Sequence, residues 1–388
     1  MKRILLLLLF IIGLFPVRAV SLDSVRVSLL TCAPGSEIYA LFGHSAIRYE
    51  NPAQKQDWVF NYGMFSFRDP NFVMRFVKGE TDYQLGVIPF RYFESEYAMR
   101  GSSVYQQELN LTDAEKVKLI QLLEDNYRPA NRTYRYNYFY DNCTTRARDK
   151  IEESIQGTVV YPENGKVLSY RDILHEFTAG SEWSEFGIDL CLGSEADEPI
   201  DEREQMFAPF YMLAAARGAM IHRADTVVPF VREESTIVDA ELEDEAAFPL
   251  SPMACAILLL LVSCVITVWG MRKGREMWIW GVFLFALQGI GGCVIAFLFF
   301  FSVHPTVGSN WLLLFLNPIP LCYLPVMIYH CIKKQKDPYH WYSAVALTSF
   351  IILMPLLPQE FNATVLPLAL NLLLVSIGHL YIYYWKHK

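Results

Sequence analysis

YNYFYDNCTTRARDK, residues 136–150, is the stretch on which the reading turns. Aromatic, strand-like residues stop at Asp141-Asn142, and a helix-forming run begins at Cys143. A thiol in the first turn of a helix lies among unpaired backbone N–H groups and at the positive end of the dipole, which favours thiolate over thiol. Asn142 is placed to cap that helix. Arg146 falls one turn on along the same face, where it can add positive potential or hold a phosphate. Taken alone, a cysteine beside Thr144 and Thr145 is more often a buried packing residue.

A reactive cysteine needs a base and a group that orients the base. The segment before residue 236 holds three histidines, His44, His175 and His222. His44 is the best placed, because in FGHSAIRYE (42–50) it begins a strand directly after a glycine. With a hairpin turning near Asn51–Gln56, Asn61 on the next strand reaches the same face as His44 and serves as the orienting amide. GxSxG is absent around Ser45, and neither CxxC nor HExxH occurs, so the sequence points to neither a serine-hydrolase elbow nor a metal centre. No cofactor is expected.

The flanks say where this chemistry happens. Lys2 and Arg3, an apolar run from Ile4 to Phe15, and Val17-Arg18-Ala19 read as an export signal over 1–19, the alternative being an uncleaved anchor. From Ser251 the composition changes to five long apolar stretches: Met253–Met271, Met277–Val303, Trp311–Ile332, Trp341–Leu357 and Val365–Trp385. Each is long enough to span a bilayer, the fourth being interrupted by Pro355. Arg272, Lys273 and Arg275, then Lys333, Lys334 and Lys336, then Lys386 and Lys388 occupy alternate joints and the C-terminus, whereas Ser302–Asn310 and Pro358–Thr364 carry no Lys or Arg. Positive charge on every second side puts the C-terminus in the cytoplasm and residues 20–235 outside it, joined to the spans by an acidic linker over 236–250. With 41 Asp and Glu against 33 Lys and Arg, nucleic acid is not an expected partner.

Residues 20–235 read as one α+β domain. Strands are expected at Val25–Leu30, Ser45–Arg48, Trp58–Tyr62, Tyr83–Ile88 and Val104–Leu109, and a helix over 113–127 behind the capping box Thr112–Glu115. A largely helical region follows over 168–223, broken near Leu192–Ile200. Three cysteines, Cys32, Cys143 and Cys191, lie in this exported part. Pairing Cys32 with Cys191 would leave Cys143 free; the count permits that disulfide without requiring it.

FGHSAIR (42–48), VFNYGMFSF (59–67), NF (71–72), KGETDY (78–83), YNYFYDNCTTRARD (136–149) and EQMFAPFYM (204–212) together resemble the Lnb N-terminal periplasmic domain family. The His-first, Cys-last order also resembles the circularly permuted NlpC/papain-like superfamily. The resemblance implies a permuted papain-like exported domain followed by an all-α five-helix membrane domain. It also implies lipoprotein N-acylation at the inner membrane of Bacteroides-like bacteria. An acyl chain would pass from a phospholipid, through a thioester on Cys143, to the α-amine of a diacylglyceryl-cysteine lipoprotein, and His44 and Cys143 fall on the family's His and Cys positions. A membrane-anchored cysteine peptidase or amidase acting on the cell wall is the competing expectation, and a non-enzymatic sensor or scaffold is a third.

Overall fold

Cys32 and His44 stand opposite each other at one end of the two central strands of the exported domain. The computed structural model describes residues 22, 24–68, 70–240 and 248–385; the expected export signal lies outside them. The strands are β1 (Arg26–Cys32), β2 (His44–Asn51), β3 (Gln56–Met64), β4 (Asp82–Pro89), β5 (Val104–Leu109), β6 (Thr133–Arg135), β7 (Thr158–Val160), β8 (Leu168–Ser169), β9 (Pro199–Ile200), β10 (Met220–His222), β11 (Val227–Pro229) and β12 (Val231–Val238). Seven of them form one antiparallel sheet in the order β12-β5-β1-β2-β3-β4-β6. β1 is buried from Val27 to Cys32 because both of its faces are covered, so it reads as an almost unbroken apolar run.

The two faces carry separate cores. Val27, Leu29, Ile47, Phe60 and Tyr62 pack with Leu119 and Leu123 of helix Asp113–Tyr127 and with Ala147 and Ile151 of helix Cys143–Ser154. Leu30, Cys32, Ala46 and Val59 pack on the other side with Phe90, Phe93 and Tyr97 of helix Phe90–Met99. The capping box at Thr112–Glu115 forms as expected, and the helix behind it runs over the expected 113–127. Helices Tyr170–Thr178 and Glu182–Cys191, then Glu202–Gln205 and Pro209–Gly218, bear out the largely helical region, which gives way to β10 at Met220.

The linker expected over 236–250 needs correction, because Thr236–Val238 belong to β12, which pairs with β5 and closes the sheet on that side. Ser103 Oγ then donates to the Ala240 carbonyl at 2.8 Å, so ordered structure extends past residue 235; residues 241–247 of the linker lie outside the described residues. The disulfide that the cysteine count left open does not form: Cys32 is a buried free thiol in β1 and Cys191 a free, half-buried thiol ending helix Glu182–Cys191.

Among the described residues beyond Ser251, five helices are long and apolar enough to cross a membrane: Pro252–Lys273, Trp278–Phe301, Trp311–Lys333, Tyr339–Leu356 and Val365–Trp385. The third is broken as well as the fourth: a short 3-10 turn over Trp311–Leu314 precedes the α-helix that starts at Ile319, after Asn317-Pro318. The exported domain sits on the two joints that lack Lys and Arg. Val303 N–H donates to the Lys78 carbonyl at 2.9 Å, Asn310 Nδ2 to Leu190 at 2.8 Å, and Gln359 Nε2 to Leu192 at 3.0 Å. Gly193 N–H donates to Thr306 at 3.1 Å. A Cβ on Gly193 would stand 2.5 Å from backbone atoms of Thr306, Ser309 and Asn310, so glycine is required by the closeness of the approach.

Candidate active site

Strand parity puts His44 on one face of the sheet while the helix that Cys143 opens packs on the other, and the site exists because they meet at the sheet's rim. The β2–β3 hairpin pairs Ile47 with Phe60, and its register is pinned by Arg48, whose Nε and Nη2 donate to Asp57 at 2.8 and 2.7 Å. Carried forward, that register sets His44 opposite Gly63, with Asn61 two residues along on the same face. His44 Nε2 and Asn61 Oδ1 are 2.6 Å apart. His44, Asn61 and the stacked ring of Tyr97, 6.5 Å from the imidazole, occupy one face. The helix that Cys143 opens packs on the other.

Gly63 is what joins them. A Cβ built there would lie 3.8 Å from Cys143 Cβ and 3.9 Å from His44 Cε1, so a larger side chain would fill the gap between thiol and imidazole. Its φ of +86° is also a conformation that favours glycine. With that gap open, Cys143 and the His44 ring lie close together, near enough for the imidazole and the Ser45 N–H to act on the thiol's pKa. Since Nε2 is taken by Asn61, Nδ1 is the nitrogen left for the sulfur. Ser45 and Thr144 lock the two elements together below the site, with Thr144 Oγ1 donating to Ser45 Oγ at 3.1 Å.

The helix start is heavily committed. Asn142 Oδ1 accepts from Thr144 N and Thr145 N at 2.8 and 2.9 Å, and its Nδ2 donates to the carbonyls of Tyr138 and Phe207 at 2.8 and 2.9 Å. All four hydrogen-bonding positions of the amide are used, so the residue expected to bind substrate has no group left to offer one. Arg146 donates to both carboxylate oxygens of Asp141 at 2.5 and 2.7 Å, and its guanidinium lies 3.6 Å above the Tyr134 ring. It is already paired where a phosphate was expected. His175 contacts Asp189 at 2.9 Å, and His222 ends β10; neither joins Cys143.

Electrostatics favour the charged form of the pair. Burial alone would raise the Cys143 thiol, but the His44 imidazole, the Ser45 N–H and Thr144 outweigh it and bring the pKa down to about 7. Burial works against the imidazolium of His44 too, and the adjacent Cys143 sulfur together with Asn61 raises it. Both residues remain half-buried, so the pair is reachable from outside. A thiol whose pKa is brought down in this way by an imidazole can act as a nucleophile. Metal-type ligands gather elsewhere among the described residues, at His175–Glu185–Asp189 and at Glu276–His340–His379, and neither group includes Cys143 or His44.

Sequence reasoning missed Gly63, Ser45 and Tyr97, and a single local signal existed for one of them. The Gly63 of NYGM is a glycine inside an otherwise good strand, which marks a bulge or a close approach.

Residues 15–175 match the model of the Lnb N-terminal periplasmic domain, and residues 243–387 match that of the Lnb transmembrane domain. No curated protein and no solved structure matches the chain. The two family models cover the exported domain as far as residue 175, inside helix Tyr170–Thr178, and all five spans, in the order in which the structure presents them, and the chain is a multi-pass membrane protein belonging to the Lnb family.

Proposed function

We propose that this protein is a phospholipid-dependent lipoprotein N-acyltransferase working through a thioester on Cys143. The observation that carries the reading is the Cys143–His44–Asn61 alignment, held on a domain that hydrogen-bonds directly to the outer joints of its own membrane helices.

The thiolate of Cys143 attacks the acyl ester of a phospholipid. A C–S bond forms, the ester C–O bond breaks, and the departing lysolipid alkoxide takes the proton held by His44. The α-amine of a diacylglyceryl-cysteine then attacks the thioester carbonyl, His44 accepts the amine proton, and the thiolate departs as the amide forms. The Cys143 N–H, which opens the helix and is not among the donors Asn142 takes, is the group placed to stabilise the oxyanion. Asn61 keeps the imidazole turned so that Nδ1 faces sulfur, and Asn142 is a positioning residue that fixes the helix start. In this reading the fold is a permuted papain-like one, the protein lies in the inner membrane, and the cationic joints and C-terminus face the cytoplasm. Both substrates are lipids, and docking the domain on the spans confines the thiol to the surface where they lie.

Mass spectrometry of lipoprotein N-terminal peptides, in cells with and without this protein, tests the proposal. Loss of the N-linked acyl chain without the protein, and no restoration by Cys143→Ser, is expected. Unchanged lipoproteins accompanied by altered cell-wall fragments would replace it with the peptidase reading.

A further inference from the structure

Away from Cys143, between helices Tyr170–Thr178 and Glu182–Cys191 and the outer ends of the first and fifth spans, lies a cavity of about 380 Å³. Its charged lining is Arg171, His175, Glu182, Glu185, Asp189 and Glu360. The balance is strongly acidic. Arg171 is buried and consumed by Asp189 and Asp197 at 2.7 and 2.5 Å. His175 contacts Asp189 at 2.9 Å. Glu182 and Glu360 are exposed, and Glu185 accepts only the Thr178 hydroxyl, at 3.2 Å. Two long helices begin at the cavity: Ser251 Oγ caps the first by accepting from Ala254 N, whereas the second has no side-chain cap, and Asn362 Oδ1 accepts from Thr364 N just ahead of it. The carboxylate oxygens of this lining suit an ammonium.

A second cavity of about 470 Å³ adjoins it. Ile351, Met354, Leu357, Phe361 and Leu366 make it apolar, at the outer ends of the fourth and fifth spans, and Phe361 lines both spaces. Together they present a charged compartment at the membrane surface beside an oily one at the level of the outer leaflet, each within the roughly 300–1,000 Å³ usual for a ligand site.

We infer that these two cavities form one lipid site, which holds a phospholipid with a primary-amine headgroup: the ammonium among Glu182, Glu185 and Glu360, and acyl chain against Phe361 and Leu366. A divalent cation at His175–Glu185–Asp189 fits less well. Both Asp189 oxygens are taken, Oδ1 by Arg171 and His175 and Oδ2 by Asn362 at 3.0 Å, and the His175 nitrogen nearest them is committed to Asp189. The site uses none of the groups around Cys143 and stands or falls separately from the acyl-transfer reading.

The test uses the full chain carrying Cys143→Ser, so that bound lipid cannot be turned over. Purified in detergent, it is equilibrated with equimolar phosphatidylethanolamine and phosphatidylglycerol of identical acyl chains, and retained lipid is counted by native mass spectrometry. Preference for the ethanolamine lipid by about tenfold is expected, a difference of about 1.4 kcal/mol. Adding Glu182→Gln and Glu185→Gln, which keep size and hydrogen bonding, should bring the ratio close to one. Adding Leu366→Trp instead should reduce retention of both lipids. Equal retention of the two lipids before those changes would overturn the proposal, as would a preference that survives the glutamine substitutions. A preference abolished by EDTA would also overturn it, in favour of a cation site.

Discussion

His44 Nε2 and Asn61 Oδ1 approach to 2.6 Å across the β2–β3 hairpin, and this contact sets which ring nitrogen faces the thiol. Replacing Asn61 with alanine frees the imidazole to turn without removing it. Acyl transfer to a diacylated lipopeptide is expected to fall about 10- to 100-fold in kcat, with KM changed by less than about threefold. An Asn61→Ala protein with an unaltered kcat would remove Asn61 from the catalytic group.

The pH at which Cys143 becomes reactive follows from its pairing. Thiolate increases as pH rises through the thiol pKa, which His44 and the neighbouring donors have lowered to about 7. Iodoacetamide labelling of Cys143, followed by peptide mass spectrometry, should therefore rise with a midpoint near that value. Without His44 the opposing effect of burial is left with less to counter it. His44→Ala is expected to move the midpoint to about 8.5 or higher. Overlapping labelling curves for the two proteins would contradict the ion-pair description.

Asn142 should behave as a structural cap rather than a substrate contact. Asn142→Ala removes the cap of helix Cys143–Ser154, worth about 0.5–2 kcal/mol. It also strips the Tyr138 and Phe207 carbonyls of a partner, at about 1–3 kcal/mol each where they stay unsatisfied. A lowered Tm in thermal melts is expected, together with slower Cys143 labelling at pH 7, since the thiol loses its place beside His44. A large rise in KM at unchanged Tm would restore the substrate-binding role.

Gly193 tests the seat of the domain. The Cβ of Gly193→Ala would fall on backbone, which yields less readily than a side chain, and overpacking of this kind is typically worth about 1–3 kcal/mol. Limited proteolysis of the purified protein should separate the domain from the spans faster, with Cys143 labelling preserved because the site is internal to the domain. Identical digestion of the two proteins would count against a tight seat.

What could be read from the sequence divides along physical lines. β5 and helix Asp113–Tyr127 were legible to the residue, because a β-prone Val-Tyr opening and a capping box are local signals. Asn61 was legible because strand parity and one turn suffice to bring it to His44. β12 was not: VREESTIV is exposed over most of its length as an edge strand, so it lacks the apolar alternation that marks a half-buried one. Helix Phe90–Met99 continues directly from β4 with Pro89 at its start and no side-chain cap, and it was missed for the same want of a signal. The pairing of His44 with Cys143 rested on motif order, since no local pattern spans that separation. Cys32 and Cys191 show the limit of counting: two thiols in one compartment were available on paper, and one is sealed inside the sheet.

β12 also governs where this protein can be divided. The strand that completes the sheet is the last described strand before the first span, more than fifty residues beyond the end of the periplasmic family match at 175. A soluble fragment cut at the motif boundary would leave β5 with a bare row of backbone donors and acceptors, an invitation to pair with another molecule. On the ribosome the same geometry delays completion of the sheet until the first membrane helix is about to follow, so the catalytic fold and its anchor come into being almost together.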